Sequence, residues 1–276
     1  MHAEGRRAER AARPDALDLR LRASSVFHRS VAPEHALAAR ELLQQSVSLD
    51  PGSAEAWARL AQVIASDHLN RWNDTDKAQL QQAEEAVGRA LLIDPNHALA
   101  HAAHGLVHRA RGAHNSALEA FSRAVELDPN FAFAYAHKGG QLIMVGRPAE
   151  APPFVEQALR LSPHDPSIGI FHWILGRAHF FTGEFDKAAA ALHKSVQARP
   201  NLWYNRLYLV SACAHLGMME EAARGLAEFN RRFTEPAYSL AVVKLHEGSN
   251  PSDNPLVVAG RQKFHEGLRL AGMPED

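Results

Sequence analysis

Proline and glycine recur on a fixed beat along this chain, and that beat leaves few folds open. Asp50-Pro51, Asp94-Pro95 and Asp128-Pro129 repeat one dipeptide, and Ser162-Pro163 and Arg199-Pro200 continue the series. These prolines are 44, 34, 34 and 37 residues apart, while Gly112, Gly146, Gly183 and Gly217 fall 34, 37 and 34 apart. The stretches between, such as Ala117–Leu127, are apolar at helical spacing with no β-branched alternation. Each unit therefore reads as helix, glycine turn, helix and proline stop. One such pair cannot bury its own apolar face, so stability must accumulate through neighbouring pairs.

The unit 98–131 places His101, His104, Gly105, His108, Ala117, Phe121, Ala124 and Pro129 at recurring positions. Unit 132–165 places Tyr135, Gly139, Leu142, Ala151, Val155, Ala158 and Pro163 there, and unit 169–202 Leu175, Gly176, His179, Ala188, Leu192 and Pro200. A unit 54–97 supplies Trp57, Leu60, Ala61, Ile64, Ala83, Ala86, Ala90 and Pro95, and units 20–53 and 203–236 are degenerate copies. This pattern resembles the tetratricopeptide repeat (TPR): Trp-x2-Leu-Gly-x2-Tyr, then Ala-x3-Phe, Ala and Pro. The expected fold is all-α, a right-handed TPR superhelix (α-solenoid) of about five to six helix pairs with a C-terminal helical cap. The expected layout is a flexible segment 1–15, a solenoid 16–236 and a cap 237–276. Gly105, Gly139 and Gly176 should let the helices of a pair touch, opposite Ala117, Ala151 and Ala188. Phe121 and Leu192 should fill the gap to the next repeat. The longer 44-residue unit carries its excess around Ser66–Lys77, where Asn73–Asp76 can cap a helix and Trp72 is either packed or a partner contact.

The opening Asp15–Arg22, the long second unit and the ending Glu266–Glu275 are similar to one further arrangement. They resemble the C-terminal TPR region of bacterial proteins with a class III adenylate/guanylate cyclase or winged-helix domain upstream. The resemblance implies a regulatory or docking module without the nucleotide chemistry, since only about 15 residues precede the first helix.

Charge and composition narrow the function. The 276 residues hold 30 Lys+Arg against 31 Asp+Glu, a net charge of −1, which supplies no bulk field for nucleic acid or an anionic membrane. A single cysteine, Cys213, excludes an internal disulfide and any Cys-based metal cage. No apolar run approaches the roughly 18 residues of a membrane span, and the Arg- and Glu-rich start lacks a signal-peptide core, so a cytoplasmic location is expected. Neither a Gly-x-Ser-x-Gly elbow nor a phosphate-cradling glycine loop occurs, so no enzyme activity and no cofactor are expected.

Seventeen histidines, roughly three times the usual share, are the compositional outlier. His97, His101, His104 and His108 form one stripe along a helix, where paired imidazoles can share a zinc. No cysteine or nearby carboxylate completes the ligand set, and three of the four occupy repeat positions that packing explains. Protonation between about pH 7 and 5.5 gives the chain a strongly pH-dependent charge.

The TPR resemblance implies a ligand groove lined by positions 2, 5, 9 and 12 of each first helix. In this sequence those positions offer Phe133, Ala136, Gly140 and Ile143, then Ile170, Trp173, Arg177 and Phe180, then Tyr204, Leu207, Ser211 and Ala214. The Lys and Asn residues with which some TPRs clamp a chaperone's terminal carboxylate are missing. The expected site is an apolar groove around Phe133, Ile170, Trp173, Arg177, Phe180, Tyr204 and Leu207, filled by a protein or peptide partner or by the chain's own tail. Ala237–His246 and Leu256–Leu270 read as tail helices either side of Gly248–Asp253, and Leu256, Val257, Phe264, Leu268 and Leu270 could cap the end or enter the groove. Pro152-Pro153 suits a helix that starts late, or a kink.

Overall fold

The structure, a computed structural model, describes residues 14–29, 33–70, 77–234, 238–247 and 252–276. Trp72, the Asn73–Asp76 cap cluster, Pro236 and residues 248–251 of the expected linker lie outside the described residues.

Among the described residues there are fourteen α-helices and no strand. Twelve form pairs on the expected frame: α1 (Pro14–Arg29) and α2 (Pro33–Leu49), α3 (Ala54–Asn70) and α4 (Lys77–Ile93), α5 (Ala98–Ala110) and α6 (His114–Leu127). They continue with α7 (Ala132–Met144) and α8 (Ala151–Leu161), α9 (Ile168–Thr182) and α10 (Phe185–Ala198), α11 (Trp203–His215) and α12 (Met219–Arg232). Two tail helices follow, α13 (Leu240–Glu247) and α14 (Pro255–Leu270).

The punctuation has a local cause at each point. Gly112, Gly146, Gly183 and Gly217 all have φ between 73° and 82°, backbone that a side chain resists. At Gly183 the turn closes as its N–H reaches Phe180 O at 3.1 Å and the Glu184 N–H reaches His179 O at 2.9 Å, satisfying the last carbonyls of α9. The aspartates before the prolines act as well. Asp50 Oδ1 accepts from the Gly52 N–H at 3.2 Å, and Asp94 Oδ1 from the Asn96 N–H at 3.1 Å, so each dipeptide folds its own turn. Pro152 and Pro153 sit in the first turn of α8, after a 3-10 turn over Pro148–Glu150, where a missing N–H costs little.

The chain divides into two compact units, residues 1–111 with 119–129, and residues 112–118 with 130–276. Both use the expected glycine contact. A Cβ on Gly105 would lie 2.8 Å from the Phe121 ring in the first unit. In the second, one on Gly139 would lie 2.5 Å from Val155, and one on Gly176 2.6 Å from Leu192. Phe121 and Leu192 thus close onto the glycine of their own pair, instead of only reaching toward the next repeat. The second unit's interior is built around Phe171, Phe180, Phe229, Phe264 and Leu192, all fully buried.

Candidate partner-binding face

The first helices of the second unit, α7, α9 and α11, pack side by side. Their line of positions 2, 5, 9 and 12 carries the residues singled out in the sequence. Phe133 is half-buried, with its ring 4.2 Å from His137. Ile170 is half-buried too. Trp173 and Tyr204 meet at 4.5 Å between ring centroids, the indole mostly buried and the phenol half-open.

The remaining three candidates are interior: Phe180 and Leu207 are fully buried, and Arg177 is 7% exposed. These three are covered, and α14 is the reason. This helix packs on α11 and touches α9, so the tail lies across the first helices. Ser252 Oγ donates to Met144 O (3.2 Å) and Asn254 Nδ2 to Val145 O (3.1 Å), tying its start to the end of α7. The Phe264 ring stacks on Tyr208 at 4.0 Å and stands edge-on to Phe180 at 6.4 Å. Ser211 Oγ donates to Phe264 O at 3.0 Å, and His215 Nε2 to Lys263 O at 2.8 Å. Gly260 faces the Phe181 ring and Gly267 faces Ser211 so closely that any Cβ would overlap them. Val257, Phe264 and Leu268 form the buried stripe, whereas Leu256 and Leu270 are 61% and 51% exposed, against the expectation that they pack. The chain end then turns back, and the carbonyls of Pro274 and Glu275 accept from Leu240 and Ala241 at the start of α13 (2.9 and 3.0 Å). The tail thus lies across α9 and α11, and its end caps α13.

Arg177 is the group that this arrangement serves least well. Its Nη2 donates to Met144 Sδ at 2.8 Å, its Cζ lies 5.2 Å from the Trp173 ring and 5.5 Å from the Phe181 ring, and among the described residues Nε has no acceptor. Burial pushes the guanidinium pKa down, as expected when a charge leaves water without a counter-ion.

The histidine stripe lies in the first unit and is occupied by structural tasks. His97 Nδ1 accepts from the Ala100 N–H (3.3 Å) to cap α5, while its Nε2 is 3.2 Å from Glu55 Oε2. His101 Nε2 donates to Pro95 O at 2.9 Å, the bond that Trp57 Nε1 makes to Pro51 O, also at 2.9 Å, one unit earlier. His101 therefore stands in for the repeat's tryptophan. The His104 and His108 rings lie 4.0 Å apart, tilted by 34°, and burial first, then the neighbouring cations, lowers both pKa values, His104 to about 4. The carboxylate near His97 comes from another helix, a partner that spacing along the sequence could not reveal.

Among the described residues, one group brings metal-type ligand atoms together: His193, Cys213 and Glu221, within 4.8 Å of one another. His193 Nε2 and Glu221 Oε1 already pair at 3.0 Å, and burial, with Glu221 beside it, pushes the Cys213 thiol up to about 11.

A tetratricopeptide-repeat family model matches residues 76–130 and 145–202. No curated protein matches the sequence. Among solved structures, the chain is similar to a thermophilic TPR protein of Thermus thermophilus, with TM-score 0.56 and 17% identity over 71% of this chain and 98% of that one. It is also similar to PilF of Pseudomonas aeruginosa, with TM-score 0.58 and 19% identity over 86% and 99% of the two chains. A chain of the APC/C Cut9–Hcn1 hetero-tetramer gives TM-score 0.63 and 17% identity over 86% of this chain and 46% of that one. Residues 76–130 and 145–202 therefore match tetratricopeptide repeats, and the fold is an all-α helical repeat. No helix among the described residues is long and apolar enough to cross a membrane.

Proposed function

We propose that this chain is a non-catalytic scaffold that takes a protein or peptide partner on the first-helix face of its second unit. The observation that carries the reading is the seating of α14. An amphipathic helix already lies across α9 and α11 with Val257, Phe264 and Leu268 inward, which is the mode of a helix in an apolar groove. Phe133, Ile170 and Tyr204, the last packed on the buried Trp173, leave apolar and aromatic surface partly open, the residue types that anchor interfaces.

The test compares wild type with a Phe133→Ala/Tyr204→Ala variant in capture from a native lysate, with helicity and melting checked by circular dichroism. Both side chains are only partly buried, and the circular dichroism measurement establishes that the variant keeps its fold. A partner held by wild type and lost by the folded variant supports the reading. The same partners on both proteins would move the site elsewhere.

A second reading, a regulatory repeat region working beside a cyclase-type or DNA-binding domain, rests on the resemblance carried by Asp15–Arg22, the long second unit and the Glu266–Glu275 ending. Part of that ending has a packing task within the chain, since Leu268 is buried and the Pro274 and Glu275 carbonyls cap α13. An upstream catalytic or DNA-binding segment in the intact gene product would favour this reading.

A further inference from the structure

We propose that α14 is a built-in competitor for the binding face, and that the partner displacing it is an amphipathic helix whose carboxylate meets Arg177. The inference rests on the scaffold reading and names the chemistry of its partner.

The tail fits the face by shape. Gly260 and Gly267 bring its backbone against Phe181 and Ser211, the Phe264 ring stacks on Tyr208, and the Ser211 hydroxyl holds the Phe264 carbonyl. It does not fit by charge. Arg177 is closed off from water with a thioether as its hydrogen-bond acceptor, and among the described residues no carboxylate lies within ion-pair distance of it. The tail contributes a like charge nearby, Arg261, which lowers the pKa of Arg177 further. Glu247 acts on Arg177 from a distance, and Tyr208 and Tyr204 also face it, but the Glu247 oxygens are engaged by His265 at 2.7 Å and Arg261 at 4.0 Å.

A buried guanidinium without a carboxylate is costly, and in a dry site the missing partner is worth more than in water. A foreign helix with the same apolar stripe and Glu or Asp in place of Arg261 would reproduce the shape and supply the charge. Because the tail is tethered, it competes at a high effective concentration. Helices of mere apolar match are therefore rejected, and selectivity rests on the acidic residue.

The probes are a labelled synthetic peptide of residues 252–276 and the same peptide carrying Arg261→Glu. Each is titrated into the full chain, as wild type and as Gly267→Leu, whose side chain collides with Ser211 and expels the tail while the repeats stay paired. The expected result is binding of both peptides to Gly267→Leu, with the Arg261→Glu peptide about tenfold tighter. That preference vanishes when Arg177→Met is added, and wild type takes up both peptides at least about tenfold more weakly. Equal affinity of the two peptides overturns the carboxylate assignment alone. Equal uptake by wild type and Gly267→Leu overturns the competitor. Failure of both peptides to bind a folded Gly267→Leu chain overturns the scaffold reading itself. A measurement that needs no displaced tail is the melting temperature of Arg177→Met in the otherwise intact chain: it rises if the guanidinium is an uncompensated charge, and a fall overturns the inference.

Discussion

A Cβ placed on Gly139 would lie 2.5 Å from Val155 Cγ2 and 3.2 Å from the Ala151 carbonyl oxygen, so α7 and α8 approach as closely as they do because that residue has no side chain. Val155 and Ala151 are both fully buried, and the backbone of α8 cannot yield. Gly139→Leu should therefore cost more than about 2 kcal/mol through overpacking. Gly88, in α4, is the control: it is exposed, and a Cβ there meets nothing within 4 Å. Gly88→Ala should gain about 0.5–1 kcal/mol from helix propensity and a less disordered unfolded chain. Urea midpoints of the two variants measure both signs, and an unchanged midpoint for Gly139→Leu would refute the register.

That contrast shows which features were legible in the sequence. Gly112, Gly146, Gly183 and Gly217 could be placed because a left-handed turn is decided by its own residue and its neighbours. Asp50 and Asp94 announce turns for the same local reason. Gly105, Gly139 and Gly176 were recognisable because the contact recurs from pair to pair. The seat of α14 does not recur, so nothing periodic marks it: the segment reads as amphipathic, but whether Phe264 meets solvent, the chain end or Tyr208 is settled by tertiary contacts. Gly260 and Gly267, seven residues apart in that helix, were the available signal of close approach on one side. The burial of Arg177 and Phe180 follows from the same placement. The pairing of His97 with Glu55 is likewise a contact between two helices that spacing does not mark.

Glu55 links parts of the first unit that are distant in sequence, lying 2.7 Å from Arg59, 3.2 Å from His97 and 3.4 Å from Arg20. Burial would push its carboxyl up, but the bond from His97 and the charge of Arg59 outweigh it and hold the pKa at about 2, against 4.5 ordinarily. A depressed carboxylate stabilises the fold above its unfolded pKa, and that contribution disappears as pH falls from about 4.5 toward 2. Glu55→Gln should thus lower the melting temperature clearly at pH 7 and much less at pH 3. An equal drop at both would assign the loss to packing instead of charge.

His104 works in the opposite sense for a base. Burial first, then His108, His101 and Arg111, lower its pKa against the opposing pull of Glu84, and the value falls to about 4 from 6.5. Between these values the unfolded chain takes up a proton that the folded chain refuses, so stability declines as pH falls from about 6.5 toward 4. His104→Gln, which stays neutral, should make the melting temperature fall less steeply over that window, His108 and His172 keeping their shares, while leaving its value at pH 7.5 nearly unchanged. A wild-type curve flat from pH 7 to 5 would show that the stripe is solvated in solution.

Cys213 tests the second unit with a chemical probe. Its thiol is 1% exposed, and burial, with Glu221 adding to it, raises the pKa from 9.0 to about 11. At pH 8 such a shift cuts the thiolate fraction about a hundredfold, and the thiolate is the form that reacts. A thiol-specific reagent should therefore label the folded chain at least about a hundred times more slowly than the chain in denaturant. Because Glu221 adds to the shift, Glu221→Gln should speed native labelling at pH 8, whereas labelling limited by unfolding would follow the stability of the variant and not its charge. Rapid native labelling of wild type would mean that α10, α11 and α12 separate far more readily than their packing implies.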